Sequence, residues 1–421
     1  MSNRRGRRAV VWVLGLAVVL AGGAQAQDWN QWRGAARDGV GHGLALPETW
    51  PAELSRVWGV EVGSGHASPV VSGERVFVHS REGEEEVVRA LDLATGKTLW
   101  RAAYPAPYRV NPAAHAHGPG PKSTPVVWQD EVCTLGISGI LSCFDIYTGN
   151  LLWRHPEGSL PGPLYGTATS PLVTGGLLIA HLGGHHKGAL TAFDVRTGAV
   201  RWHLEGDGPG YTSPIVAEVG GRRQLVTQTD QRIIGVDPAD GALLWSRPFT
   251  TPWDQNIVTP LVDGPRLILA GLDQGTFAVE PVQADGVWSL KEVWSSPLSQ
   301  YMSTAVLVGG RLIGMAPSRK GQLFALDAAS GKTLWTSEGR LGDNAALVAV
   351  DNVVLVLTDA GELLVQPADA PGFAPVARYQ VADSPTWAHP VPTSRGLLIK
   401  DRGTVALWSL SPPAPAPAAA P

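Results

Sequence analysis

The sequence predicts an all-β protein: an eight-bladed β-propeller of four-stranded antiparallel blades, its last blade closed by the N-terminal strand. A repeated turn motif, a set of strand openings and a displaced strand pattern near the N-terminus lead to this reading. The motif is an apolar stretch, Asp, two residues, Thr/Ser/Asp-Gly, three residues, Trp. It appears as Asp92 and Gly96 with Trp100, Asp145 and Gly149 with Trp153, Asp194 and Gly198 with Trp202, Asp237 and Gly241 with Trp245, and Asp327 and Gly331 with Trp335. A worn copy around Glu280 ends at Trp294. The Trp-to-Trp steps are 53, 49, 43, 49 and 41 residues, and strand-rich periods in the forties indicate a radial β array.

Each copy reads as strand, tight turn, strand. The Asp carboxylate accepts from backbone N–H groups two or three residues on, and Gly tolerates the positive φ the turn needs. These acids are therefore read as structural. A second signal opens each unit: Ser68-Pro69, Thr124-Pro125, Ser170-Pro171, Ser213-Pro214 and Thr259-Pro260, with weaker versions at Thr304-Ala305, Ala345-Ala346 and His389-Pro390, making eight openings. Pro is tolerated at the first position of a strand because its missing N–H costs no ladder bond there. The last unit stops after Trp408, one strand short, while residues 54–62 carry an unpaired outer-strand pattern. That strand is expected to close the last blade and remove its free edge.

Residues 1–26 read as a cleaved secretory leader. Arg4, Arg5, Arg7 and Arg8 precede an apolar run that ends in Ala24-Gln25-Ala26, and the run is too short to span a bilayer. The expected location is periplasmic or secreted, with cleavage near Ala26 and no lipid-anchoring Cys after it. Without the leader the chain carries 29 Lys and Arg against 37 Asp and Glu, a net charge of −8. That balance excludes a nucleic-acid binder, which needs a basic footprint. Residues 27–53 are expected as an irregular cap lying on the propeller at 54–410. The Pro/Ala-rich tail, 411–421, is expected to be extended. Cys133 and Cys143 flank a short turn in one hairpin. Two readings stand: a cross-strand disulfide, or Cys143 replacing the small Ala found at Ala90, Ala192 and Ala325.

These repeats resemble the pyrroloquinoline-quinone (PQQ) repeat family, the propellers of quinoprotein dehydrogenases and of the outer-membrane assembly lipoprotein BamB. The segment Asp28-Trp-Asn-Gln-Trp32-Arg33-Gly34 also looks like one found in exported bacterial members. The resemblance implies the fold over most of the chain and leaves activity open. It implies either an assembly scaffold or an enzyme using PQQ with calcium. The enzymes use adjacent cysteines, a calcium set of Glu, Asn and Asp, and an aromatic floor, and this sequence has no adjacent Cys pair.

Strand direction places the segments before each opening around one mouth of the central channel. They offer His66, Lys122, Tyr211, Asp254, Asn256, Tyr301, Asn344, Trp387 and His389 as candidate ligand or cofactor contacts. Asp254 and Asn256 are the candidate calcium pair, with Trp387 or Tyr301 as a stacking surface. For a metal, His115, His117, His185 and His186 supply imidazoles from two loops on that same face, with no acid or Cys at fixed spacing. The expected function is a monomeric, exported, non-catalytic binding or scaffold module with protein partners in the envelope or a small ligand at the mouth. The alternative is a PQQ-dependent alcohol or sugar dehydrogenase.

Overall fold

The computed structural model describes residues 28–155 and 162–411. The expected leader and nearly all of the Pro/Ala tail lie outside the described residues. Eight antiparallel sheets follow one another around a central channel. Their inner strands are Val70–Ser72, Val126–Trp128, Leu172–Thr174, Ile215–Val219, Leu261–Asp263, Val306–Val308, Ala345–Val350 and Val391–Thr393, which open blades 1 to 8 in order. Among the described residues the only helical pieces are three short 3-10 turns, and no helix is long and apolar enough to cross a membrane.

The N-terminal strand closes the ring as expected. Ser55–Glu61 pairs antiparallel with Thr404–Ser409, supplying the fourth strand of blade 8. The hydrophobic core lies between neighbouring blades. Phe77, Val88 and Ala90 of blade 1, for example, meet Val132 and Phe144 of blade 2. Strand alternation makes this automatic, since each blade buries both of its faces against its neighbours.

The motif Trp is the lock between blades. Trp100 of blade 1 lies over Gly149 of blade 2, Trp153 over Gly198, and Trp202 over Gly241, while Trp58 of blade 8 lies over Gly96 of blade 1. A Cβ on any of these glycines would sit 2.6–2.7 Å from the indole. Each indole N–H also donates to a carbonyl of the facing turn: Trp58 to Leu93 (3.0 Å), Trp100 to Ile146 (2.9 Å), Trp153 to Val195 (2.7 Å), Trp202 to Pro238 (3.2 Å) and Trp294 to Ala328 (2.9 Å). The facing Asp shapes the turn. Asp92 Oδ1 accepts from Thr95 N–H at 2.9 Å and its hydroxyl at 2.6 Å, and Asp145, Asp194 and Asp327 repeat the pattern. Where the next blade lacks the motif the lock changes. Trp245 faces the worn copy and donates instead to Gln224 of its own blade at 2.6 Å.

Cys133 and Cys143 are register partners in the middle strands of blade 2, with Cα atoms 4.0 Å apart, and the structure joins them as a disulfide.

Candidate functional site

The segment expected as a cap runs into the channel instead. Asp28 accepts from the Ser72 hydroxyl and the Gly73 N–H on the face that carries the Asp-Gly turns. The chain then rises through the ring. Trp29 bridges Val71 of blade 1, and Asn30 exchanges hydrogen bonds with Val127 of blade 2. It turns at residues 31–38 and descends, with Val40–Gly41 pairing parallel to the inner strand of blade 7. The turn is anchored by two buried arginines. Arg33 donates to the carbonyls of Thr304 (3.0 Å) and Ala305 (2.6 Å), and Arg37 donates to those of Pro171 (3.0 Å) and Ser170 (3.1 Å). Among the described residues no carboxylate pairs with either guanidinium at salt-bridge distance. Burial lowers Arg33 to about 10 and Arg37 to about 9, and ring carbonyls take the place of water around them. The plug also explains why His389 is not available at the mouth. It is buried beneath Trp32, ring centroids 4.5 Å apart, with Nε2 3.3 Å from Arg33. Burial first, then Arg33, pushes it well below the ordinary imidazole range, so it is neutral.

Above the plug the mouth opens as a cavity of about 380 Å³. Trp32 of the plug forms part of its wall, with its indole N–H on Thr259 Oγ1 at 3.0 Å. Around it stand Trp387, Trp253, Tyr165, Tyr211 and Tyr301, with His66, His117 and Lys122 as the ionisable nitrogens. His117 lies edge-on to Trp387 at 4.5 Å, and its backbone carbonyl is 3.0 Å from His66 Nε2. Burial first, then Lys400, lowers His66 to about 3, so it is neutral near pH 7. Lys122 donates to the Tyr165 carbonyl at 2.7 Å and is lowered by burial to about 8, leaving it, among the described residues, the one cation of the lining at neutral pH.

Of the nine expected mouth residues, His66, Lys122, Tyr211, Tyr301 and Trp387 come together here. The other four do not line the cavity. Asn256 is wholly buried, its amide donating to the carbonyls of Thr229 (2.7 Å) and Phe249 (2.9 Å). Asn344 is buried with its amide oxygen on Ser303. Asp254 turns away from Asn256, because Trp253 and Asp254 adopt left-handed φ of 60° and 55°, and reaches His185 Nε2 at 3.1 Å. The expected calcium pair is therefore divided. The two imidazole loops also stay apart. His117 lies at the mouth, His115 lines a separate groove with Arg109 and Leu164, and His185 and His186 gather with Asp230 instead. The sequence reading missed Trp32, Tyr165, Trp253 and Gln255. Extending the pre-opening segments by a few residues finds Tyr165 and Trp253, Gln255 lies between the two residues already chosen there, and Trp32 comes from the plug.

This lining does not suit a calcium-bound quinone. Calcium takes six or more oxygen ligands, usually including carboxylates, and among the described residues no Asp or Glu lines the cavity. A tricarboxylate cofactor would meet one lysine. The arrangement suits an apolar or aromatic group that carries at most a single negative charge.

Fold and site together define a closed eight-bladed propeller with an aromatic-lined cavity on one face. The family model described as outer membrane protein assembly factor BamB matches residues 49–204, 84–337 and 253–369, and the chain belongs to this family. The matched spans overlap, as expected of a repeat that can be aligned from more than one blade. BamB of Yersinia pestis is 25% identical over 374 residues, 83% of this chain and 88% of its own, and BamB of Shewanella oneidensis is 22% identical over 372 residues, 84% and 88%. Among solved structures, BamB from Moraxella catarrhalis matches with a TM-score of 0.63 at 18% identity, covering 85% of this chain and 98% of its own. The quinohemoprotein alcohol dehydrogenase of Comamonas testosteroni matches with a TM-score of 0.68 at 15% identity, covering 95% and 83%. These likenesses establish the fold.

Proposed function

We propose that the protein is an exported, non-catalytic binding module of the cell envelope that holds a protein partner at the aromatic mouth of its plugged channel. The observation that carries this is the lining itself: among the described residues, six large aromatic side chains, one lysine and no carboxylate surround a cavity of about 380 Å³. Such a surface receives an apolar side chain, and aromatic anchors in a concave site are the usual energetic centre of an interface. Membership of a family described by its assembly role agrees with a partner that is a protein.

The test has two arms. A photo-crosslinking residue at Trp253, on the mouth, should capture a discrete envelope protein in cells, while one at Lys97, on the opposite face, should not. The purified protein with added PQQ and calcium should show no dye-linked oxidation of alcohols or aldoses. Crosslinks confined to Lys97 would move the binding face to the Asp-Gly turns. Quinone-dependent turnover would replace the binding reading with the dehydrogenase one.

A further inference from the structure

A second cluster lies at the edge of the mouth, outside the cavity lining. His185 and His186 form the middle hairpin loop of blade 3, between Leu177–Gly184 and Lys187–Asp194. Asp230 lies in the corresponding loop of blade 4, between Arg222–Gln228 and Arg232–Val236. Asp254 comes from the connection between blades 4 and 5. Ligand atoms of His185, His186 and Asp230 lie within 4.8 Å of one another. Asp254 Oδ2 adds a fourth donor, 3.1 Å from His185 Nε2 and 3.7 Å from His186 Nε2, and Asp230 Oδ2 lies 3.2 Å from His186 Nδ1.

We propose that His185, His186, Asp230 and Asp254 bind a divalent transition metal of the zinc class, joining blades 3, 4 and 5 at the rim of the mouth. Imidazole nitrogen with carboxylate oxygen is a donor set that suits zinc and its neighbours in the series. Ligands about 2.0–2.1 Å from a tetrahedral zinc stand roughly 3.3 Å apart. One imidazole lends an ion one nitrogen, so His186 serves through either Nε2, 3.7 Å from Asp254, or Nδ1, 3.2 Å from Asp230. The side chains draw in around the ion from spacings within 4.8 Å among His185, His186 and Asp230. Asp230 strengthens the case independently. Its side chain is only 2% exposed, and its Oδ1 has no hydrogen-bond partner among the described residues, an orphaned buried oxygen that a cation would satisfy. Burial raises its carboxyl above the ordinary range, opposed by the hydrogen bond from the His186 N–H. His186 and Asp254 both hold left-handed φ, 56° and 55°. Such backbone is costly for residues other than glycine and persists where its surroundings demand it.

The metal would also organise the proposed receptor, because Trp253 and Gln255 flank Asp254 and line the cavity. The probe is Zn²⁺ added to the chelator-stripped protein, followed by calorimetry and thermal melting, with Co²⁺ visible absorption to report coordination. Expected are one saturable Zn²⁺ per chain, a melting point that rises with metal, and the absorption of a low-symmetry Co²⁺ site. His185→Ala and Asp254→Asn, both at partly exposed side chains, should each weaken Zn²⁺ by more than the roughly 10-fold to 100-fold typical of losing an outer-shell partner while the metal-free melting point holds. His115→Ala should leave binding unchanged. Absence of a saturable site, or equal binding by His185→Ala and the parent, would overturn the proposal. An effect of His115→Ala matching that of His185→Ala would do so too, as it would indicate nonspecific surface binding. If His185→Ala fails to fold, Asp254→Asn alone decides.

Discussion

At the residue scale, the motif glycine and the motif tryptophan are two halves of one contact. Trp202 is 8% exposed and lies on Gly241, whose φ is +78°. Removing the indole leaves a void between blades, and losing a buried Trp costs roughly 3–5 kcal/mol. Trp202→Ala should therefore lower the melting midpoint clearly. Gly241→Ala should do so too, since its methyl would collide with the indole. The double variant should lose less than the two single losses combined, because without the indole the added methyl has nothing to collide with. Additive losses would show that the two residues act independently. The turn carboxylates make a second prediction. Asp194 is lowered to about 2, first by its hydrogen bond from Arg201 and then by Thr197, and Asp92, Asp145, Asp237 and Asp327 are lowered as well. A folded-state pKa below the unfolded value of about 3.9 means stability that is present above that pH and lost as pH falls toward the folded value. The melting point should decline as pH falls from about 4 toward 2, less steeply in Asp194→Asn. An identical slope in that variant would remove Asp194 from the acid transition.

At the scale of elements, Ser55–Glu61 serves as a latch. It completes blade 8 by pairing with Thr404–Ser409, and its Trp58 lies on Gly96 of blade 1. Deleting residues up to Val62 removes both halves of the closure and leaves an unpaired strand edge. The shortened protein should self-associate or become protease-sensitive across residues 388–410, as measured by light scattering and limited proteolysis. A monomeric, resistant product would mean that blade 8 stands without its fourth strand. The latch was legible in the sequence, because a missing strand at one end and a surplus pattern at the other are both visible in the repeat register. The plug was not. Its arginines look like surface residues until the ring carbonyls that surround them are in place, and nothing local in Arg33 or Arg37 signals burial.

At the scale of the whole molecule, the eight-blade count followed from motifs that recur in register, and interblade packing follows from them almost without choice. The lining of the cavity was half legible. Strand direction placed five of its residues on one face, because direction depends only on topology. It failed for Asp254 and Asn256, where two consecutive left-handed residues reverse the side chains' aim within a single turn. It also missed Trp32, whose place depends on a segment threading the ring. The same gathering by topology assembled His185, His186, Asp230 and Asp254, which sit in three separate loops and share no sequence spacing.

The plug and the latch also set an order of events in folding. Arg33 meets Thr304 across 271 residues of chain and His389 across 356, whereas each blade forms from hairpins closed by short turns. Local hairpins form quickly, and contacts between distant segments wait for chain entropy to be overcome. The blades are therefore expected to take shape before residues 28–62 arrive to seat two cations among their carbonyls and pin the ends together. Pulsed hydrogen exchange should show late protection of the Ala349 N–H, which donates to Gly39. A protein assembled this way is most vulnerable late, when its sheets are built and its ends have yet to meet.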